Sequence, residues 1–81
     1  MFIHLGNDVM VPAGEIVAIL DYALLEKRNL AFLENHKKTY LVIDIGKQET
    51  KSAVVTTDEN IYLSPFSTLT LKRRLNSETP G

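Results

Sequence analysis

Residues 51–64 read KSAVVTTDENIYLS, two β-rich runs on either side of a polar triplet. Valine, threonine, isoleucine and tyrosine fit a pleated, half-buried surface. Asp58, Glu59 and Asn60 are turn formers. The stretch therefore predicts a hairpin, with one strand over 51–57 and its partner over 61–64. Ser64-Pro65 then breaks the sheet, because proline restricts the residue before it and cannot donate to a ladder.

Upstream, residues 40–45 (YLVIDI) predict another strand, followed by a polar loop over 46–50. Residues 15–20 (EIVAIL) hold three β-branched side chains in an apolar run, the pattern of a strand covered on both faces. At the start of the chain, residues 2–5 and 8–11 flank Gly6-Asn7, a pair suited to positive φ, and predict a first hairpin with Ile3 and Leu5 on one face. Between these strands the period changes. Tyr22, Leu25, Asn29, Phe32 and Leu33 fall on one helical stripe, so a helix is expected over 22–36, about 22 Å long at 1.5 Å per residue. Asp21 is placed to cap it, and Lys37 and Lys38 follow its C-terminal end. Ser67 is the expected N-cap of a last, short helix through Leu75, with Leu71 and Leu75 inward at i and i+4. The fold class is α+β: a small, mainly antiparallel sheet with one long helix packed on a face and a short C-terminal helix. Residues 1–75 form a single domain and residues 76–81 a polar C-terminal tail.

Composition narrows the function. Of 81 residues, 44% are hydrophobic and 23% charged, which is ordinary for a globular domain and unlike a disordered chain. There is no cysteine, which excludes disulfides, thiolate zinc sites and cysteine nucleophiles. His4 and His36 are isolated, so neither a metal nor a cofactor is expected. The longest apolar runs are about five residues, against the ~18 a membrane span needs. With no leader-like pattern at Met1, the reading is a cytoplasmic, soluble domain of the size that often enlarges its core by self-association. No nucleophile elbow, phosphate loop or dinucleotide fingerprint is present, and Ser64 and Ser67 have no local base. The reading is not an enzyme. Asp44 breaks an apolar strand; it serves a site, or else faces solvent, receives backbone donors or pairs with a basic residue of a neighbour.

Charge position is the uneven feature. Nine basic and ten acidic residues give a net −1, yet the first 21 residues carry Asp8, Glu15 and Asp21 with no basic residue. Positive charge gathers at Lys47 and Lys51 around the polar loop and at Lys72, Arg73 and Arg74 on the last helix. These five are the candidate phosphate-binding residues, since lysine and arginine donate to anionic oxygens. The alternative for the last three is that they complement the helix dipole. At about 100° per residue they fan apart, so at most two reach phosphate from one subunit; Arg73 and Arg74 are the pair expected to do so.

The strings FIHLGNDVMV (2–11), EIVAILD (15–21) and TKSAVVTTDENIYLSPFSTLTLKRR (50–74), in this order, resemble the RemA/RemB family of extracellular-matrix regulators. The resemblance implies a DNA-binding regulator of biofilm-matrix genes, built as a ring-like homo-oligomer that presents basic residues to double-stranded DNA. It also admits a paralogous RemA-type regulator as partner. In the RemA pattern, adjacent arginines fall where this chain has Glu49 and Thr50, and a further basic residue falls at Glu15. Lys47 and Lys51 flank that gap, though lysine is a point charge and not a fork. Two functions remain: DNA association through Lys72, Arg73 and Arg74, or a protein–protein interaction module of the same fold that does not touch DNA.

Overall fold

The computed structural model describes residues 1–28 and 41–77. In chain order the elements are β1 (Phe2–Gly6), β2 (Val9–Pro12), β3 (Ile16–Asp21), α1 (Tyr22–Arg28), β4 (Leu41–Asp44), β5 (Ser52–Thr56), β6 (Asn60–Ser64) and α2 (Thr68–Ser77). Single 3-10 turns at Ala13–Glu15 and Lys47–Glu49 link strands.

The expected hairpin at 51–64 forms the middle of the main sheet. β5 and β6 pair antiparallel, with Ser52 opposite Ser64 and Val55 opposite Ile61. Its turn is tied locally: the Thr56 hydroxyl donates to the Asp58 carboxylate, and Asn60 Nδ2 donates to the other Asp58 oxygen at 3.2 Å. Around this centre the strand order is β3-β5-β6-β4, with β3 antiparallel to β5 and β4 parallel to β6. β1 and β2 form a separate two-stranded sheet.

The period-2 alternation of the strands sorts the side chains into two clusters. Val54, Ile43, Tyr62 and Ile19 share one face of the main sheet and pack with Ile3, Leu5 and Val11 of the hairpin and with Leu71 of α2. Ala53, Ile61 and Leu63 share the other face and meet Tyr22 and Leu25 of α1. Leu71 is fully buried, so α2 docks by the face its i, i+4 leucines define.

Three expectations need correction. The long helix packed on a face is absent among the described residues. α1 covers seven residues, Tyr22–Arg28, while the remainder of the expected span, 29–36, lies outside the described residues together with His36, Lys37 and Lys38. The larger core is closed by the β1–β2 sheet and the ten-residue α2, giving a mostly β architecture in two sheets. The physical reason is that one face of the main sheet packs against a second sheet, which alternation alone does not pair, while among the described residues the other face meets only the first turn of α1 through Tyr22 and Leu25. Second, the first turn lies one residue later than expected. Asn7 and Asp8 carry the positive φ values, 44° and 64°, and Gly6 stays in β1 opposite Val9 at φ 128°. Only glycine suits that position: a Cβ there would also sit 3.1 Å from Ile45 and Pro65. Third, β3 is an edge strand, and Val17 is 62% exposed where cover on both faces was expected.

Ser64 joins the two sheets. It is fully buried, its hydroxyl donates to the Leu5 carbonyl of β1 at 2.7 Å, and it accepts from the Phe66 N–H at 3.1 Å. Ser64→Ala leaves both partners unsatisfied in a buried place and is expected to cost about 1–3 kcal/mol. Urea unfolding with an unchanged slope checks this; a loss under about 0.5 kcal/mol, the scatter of ordinary surface changes, would reject the role.

Candidate nucleic-acid interface

The loop after β4 is fixed by backbone bonds before any lysine is placed. The N–H groups of Ile45 and Gly46 both donate to the Leu63 carbonyl, at 3.0 and 2.9 Å. Asp44 is exposed, and its Oδ1 accepts the Lys47 N–H at 2.7 Å; this holds Lys47 at a positive φ of 54°. The acid that broke the strand pattern therefore receives a backbone donor, the first N–H of the Lys47–Glu49 turn. Lys51 is pinned on both sides, its N–H donating to Ser64 O at 2.8 Å and its carbonyl accepting the Tyr22 N–H at 3.0 Å. Lys47 and Lys51 are both exposed and line one groove of about 530 Å³, which also reaches the starts of α1 and α2.

The two helix starts behave as their cap residues dictate. Asp21 Oδ1 accepts the Ala23 and Leu24 N–H groups at 2.9 and 3.3 Å. Ser67 Oγ accepts the Thr70 N–H at 3.1 Å, and Ser67 O accepts the Leu71 N–H. α2 then runs two residues beyond the expected end at Leu75, to Ser77.

The basic cluster on α2 divides. Lys72 and Arg73 are exposed. Thr68 lines the groove, and Lys72 lies four residues on, so the two share a helix flank and Lys72 continues the side that carries Lys47 and Lys51. Arg74 is half-buried and turned back on the protein: its guanidinium stacks 4.5 Å from the centre of the Phe66 ring, and Nη1 donates to His4 O at 3.1 Å. His4, which alternates with the inward Ile3 and Leu5, is exposed and meets the same ring edge-on, with centroids 5.6 Å apart at 63°. The expected pair, Arg73 and Arg74, is thus split, and Lys72 with Arg73 faces outward instead. No spacing rule signals the Arg74 contact, since its partners are Phe66, before the helix, and His4, at the other end of the chain.

Among the described residues, no three His, Cys, Asp or Glu side chains gather as metal ligands, and no helix is long and apolar enough to cross a membrane.

The segments that build this surface lie within a recognised family. The family model described as RemA-like, extracellular matrix regulatory protein A-like, matches residues 2–75, from β1 to the penultimate turn of α2. Extracellular matrix regulatory protein B of Bacillus subtilis (strain 168) is 38% identical over 79 residues, covering 91% of this chain and 89% of its own. The match takes in the loop lysines, the groove and all three basic residues of α2. The chain belongs to the RemA-like family of extracellular matrix regulatory proteins.

Proposed function

We propose that this protein is a cytoplasmic, DNA-associated regulator of extracellular-matrix genes that acts as a homo-oligomer and carries out no chemistry itself. The observation that supports this reading best is the exposed pair Lys72 and Arg73 on α2, on a helix whose start adjoins the exposed Lys47 and Lys51. A chain of net charge −1 is a weak ligand for a polyanion as a monomer. Repeating two to four outward cations at each protomer of a symmetric, ring-like assembly multiplies the phosphate contacts without changing the charge of the subunit. A paralogous RemA-type protein is a further candidate partner.

A second reading has its own support. Glu49 is exposed between the two loop lysines, and Thr50 stands beside it where the resemblance places arginine. On the outer face of the β1–β2 sheet, Phe2 and Met10 are 57% and 55% exposed, an apolar surface suited to protein. These features favour an interaction module that joins the regulatory assembly without holding DNA.

Binding to duplex DNA, followed as log affinity against log salt, separates the two. Lys72→Ala with Arg73→Ala is expected to weaken binding and to flatten the slope by about 2 per engaged protomer, at about 0.9 per phosphate contact. Lys47→Ala with Lys51→Ala acts in the same direction. A wild-type protein without salt-dependent binding supports the interaction module and ends the DNA reading. Light scattering at micromolar concentration is expected to give a multiple of the chain mass; a monomer throughout would reject the oligomer.

Arg74→Ala is the contrasting case. It removes a cation–π contact and a hydrogen bond inside the protein, so thermal stability is expected to fall by about 1 kcal/mol while the salt slope stays that of wild type. Arg74→Lys recovers part of the stability, because lysine keeps the charge and loses the planar stack. If Arg74→Ala flattened the slope as much as the Lys72, Arg73 variant, its assignment to the interior contact would be wrong.

A further inference from the structure

We propose that the groove carrying Lys47 and Lys51 binds a phosphate monoester of mononucleotide size, a ligand separate from any duplex held by Lys72 and Arg73. Its volume of about 530 Å³ lies within the roughly 300–1,000 Å³ of small-molecule sites. Seven of the nine residues lining it are polar, which suits a hydrophilic ligand.

Most of the polar groups left free are donors, which suits an acceptor-rich, anionic occupant. Among the described residues, neither Lys47 nor Lys51 has a side-chain partner. The Thr50 and Ser67 hydroxyls are engaged, with Lys47 O and with Thr70. The Asp21 oxygen that caps α1 already accepts two N–H groups. What remains is two ammonium groups, the Gln48 amide and the Thr68 hydroxyl, beside the second, unengaged oxygen of Asp21, so donors outnumber acceptors and the lining keeps a net positive charge that suits one phosphate group. The backbone of both lysines is held in advance, by Asp44 on one side and by Ser64 and Tyr22 on the other, which lowers the ordering cost of binding.

Size and shape follow from the walls. Tyr22, half-buried, and Ala23 supply the apolar side, against which a flat, uncharged part of the ligand packs. Asp21 lines the groove, and Glu49 lines the adjoining cleft with Lys51 and Pro65. A single phosphate placed at the lysines meets less of this negative charge than a continuous polyanion laid along both the groove and the cleft.

The test uses the full chain with adenosine 5′-monophosphate as probe, followed by backbone amide chemical shifts. Saturable changes are expected at residues 22–23, 47–51 and 67–68, with none for adenosine and weaker binding for inorganic phosphate. Lys47→Gln with Lys51→Gln is expected to weaken the monophosphate about tenfold or more at an unchanged melting temperature, since charged hydrogen bonds are lost. The proposal is overturned by an absent or unsaturable response, by equal affinity in the double variant, or by changes centred on 72–73. Inorganic phosphate binding as tightly as the monophosphate would also overturn it, by removing the role of Tyr22. DNA is absent throughout, so these outcomes are independent of the duplex measurement.

Discussion

The buried hydroxyl of Ser64 is the point through which the two sheets and the last helix are placed relative to one another. It closes the β5–β6 ladder opposite Ser52, donates to Leu5 in the other sheet and accepts from Phe66 just after the proline. Ser52, also fully buried, donates to the carbonyl of the same Phe66 at 2.7 Å. Both polar groups of the Phe66 backbone are thus satisfied by serines at the end of the central hairpin. A buried polar group must find such partners or destabilise the fold, so the direction in which the chain leaves the sheet is specified and not merely allowed. From that exit follow the Ser67 cap, the burial of Leu71 and the position of Phe66 beneath Arg74.

Charge is then distributed by where the chain is held, not by how much of it there is. Asp21 and Asp44, two of the acids nearest the loop lysines, spend carboxylate oxygens on backbone N–H groups. Arg74 spends its guanidinium on an aromatic face and a carbonyl. Lys47, Lys51, Lys72 and Arg73 keep theirs exposed. Among the described residues the exposed carboxylates of Asp21 and Asp44 are thus held by the backbone, while four of these five Lys and Arg side chains reach into solvent.

What the sequence made legible was local. Alternation placed Ile3, Leu5 and Val11 inward, and short-range capping chemistry placed Asp21 and Ser67 at helix starts, because each depends on neighbours within a few residues. The long helix packed on a face is not seen among the described residues, because a 3.6-residue stripe shows that a helix has an apolar side but not what that side packs against. The first turn moved by one residue because Asn7 and Asp8 tolerate positive φ as Gly6 does, and the choice was made by the approach of Ile45 and Pro65. The parallel pairing of β4 with β6 and the stack of Arg74 on Phe66 are long-range contacts without a spacing signature. At the candidate interface the residue types were readable in advance; which of them face outward was decided by those contacts.

The position of β4 has a consequence for local opening. Among the described residues it is an edge strand of four residues whose one ladder is the parallel one to β6, whereas β5 lies between two strands. The loop between them is therefore anchored at one end to the rim of the sheet and at the other to its middle. Edge segments with a single ladder open at lower free energy than central ones. An opening of β4 would break the bond from Lys47 to Asp44 and leave Lys51 held by Ser64 and Tyr22 beside the central strand, so amide exchange is expected to be faster at Lys47 than at Lys51. The two loop cations, alike in sequence and exposure, thus belong to different units of cooperativity: one moves with the rim and the other with the core.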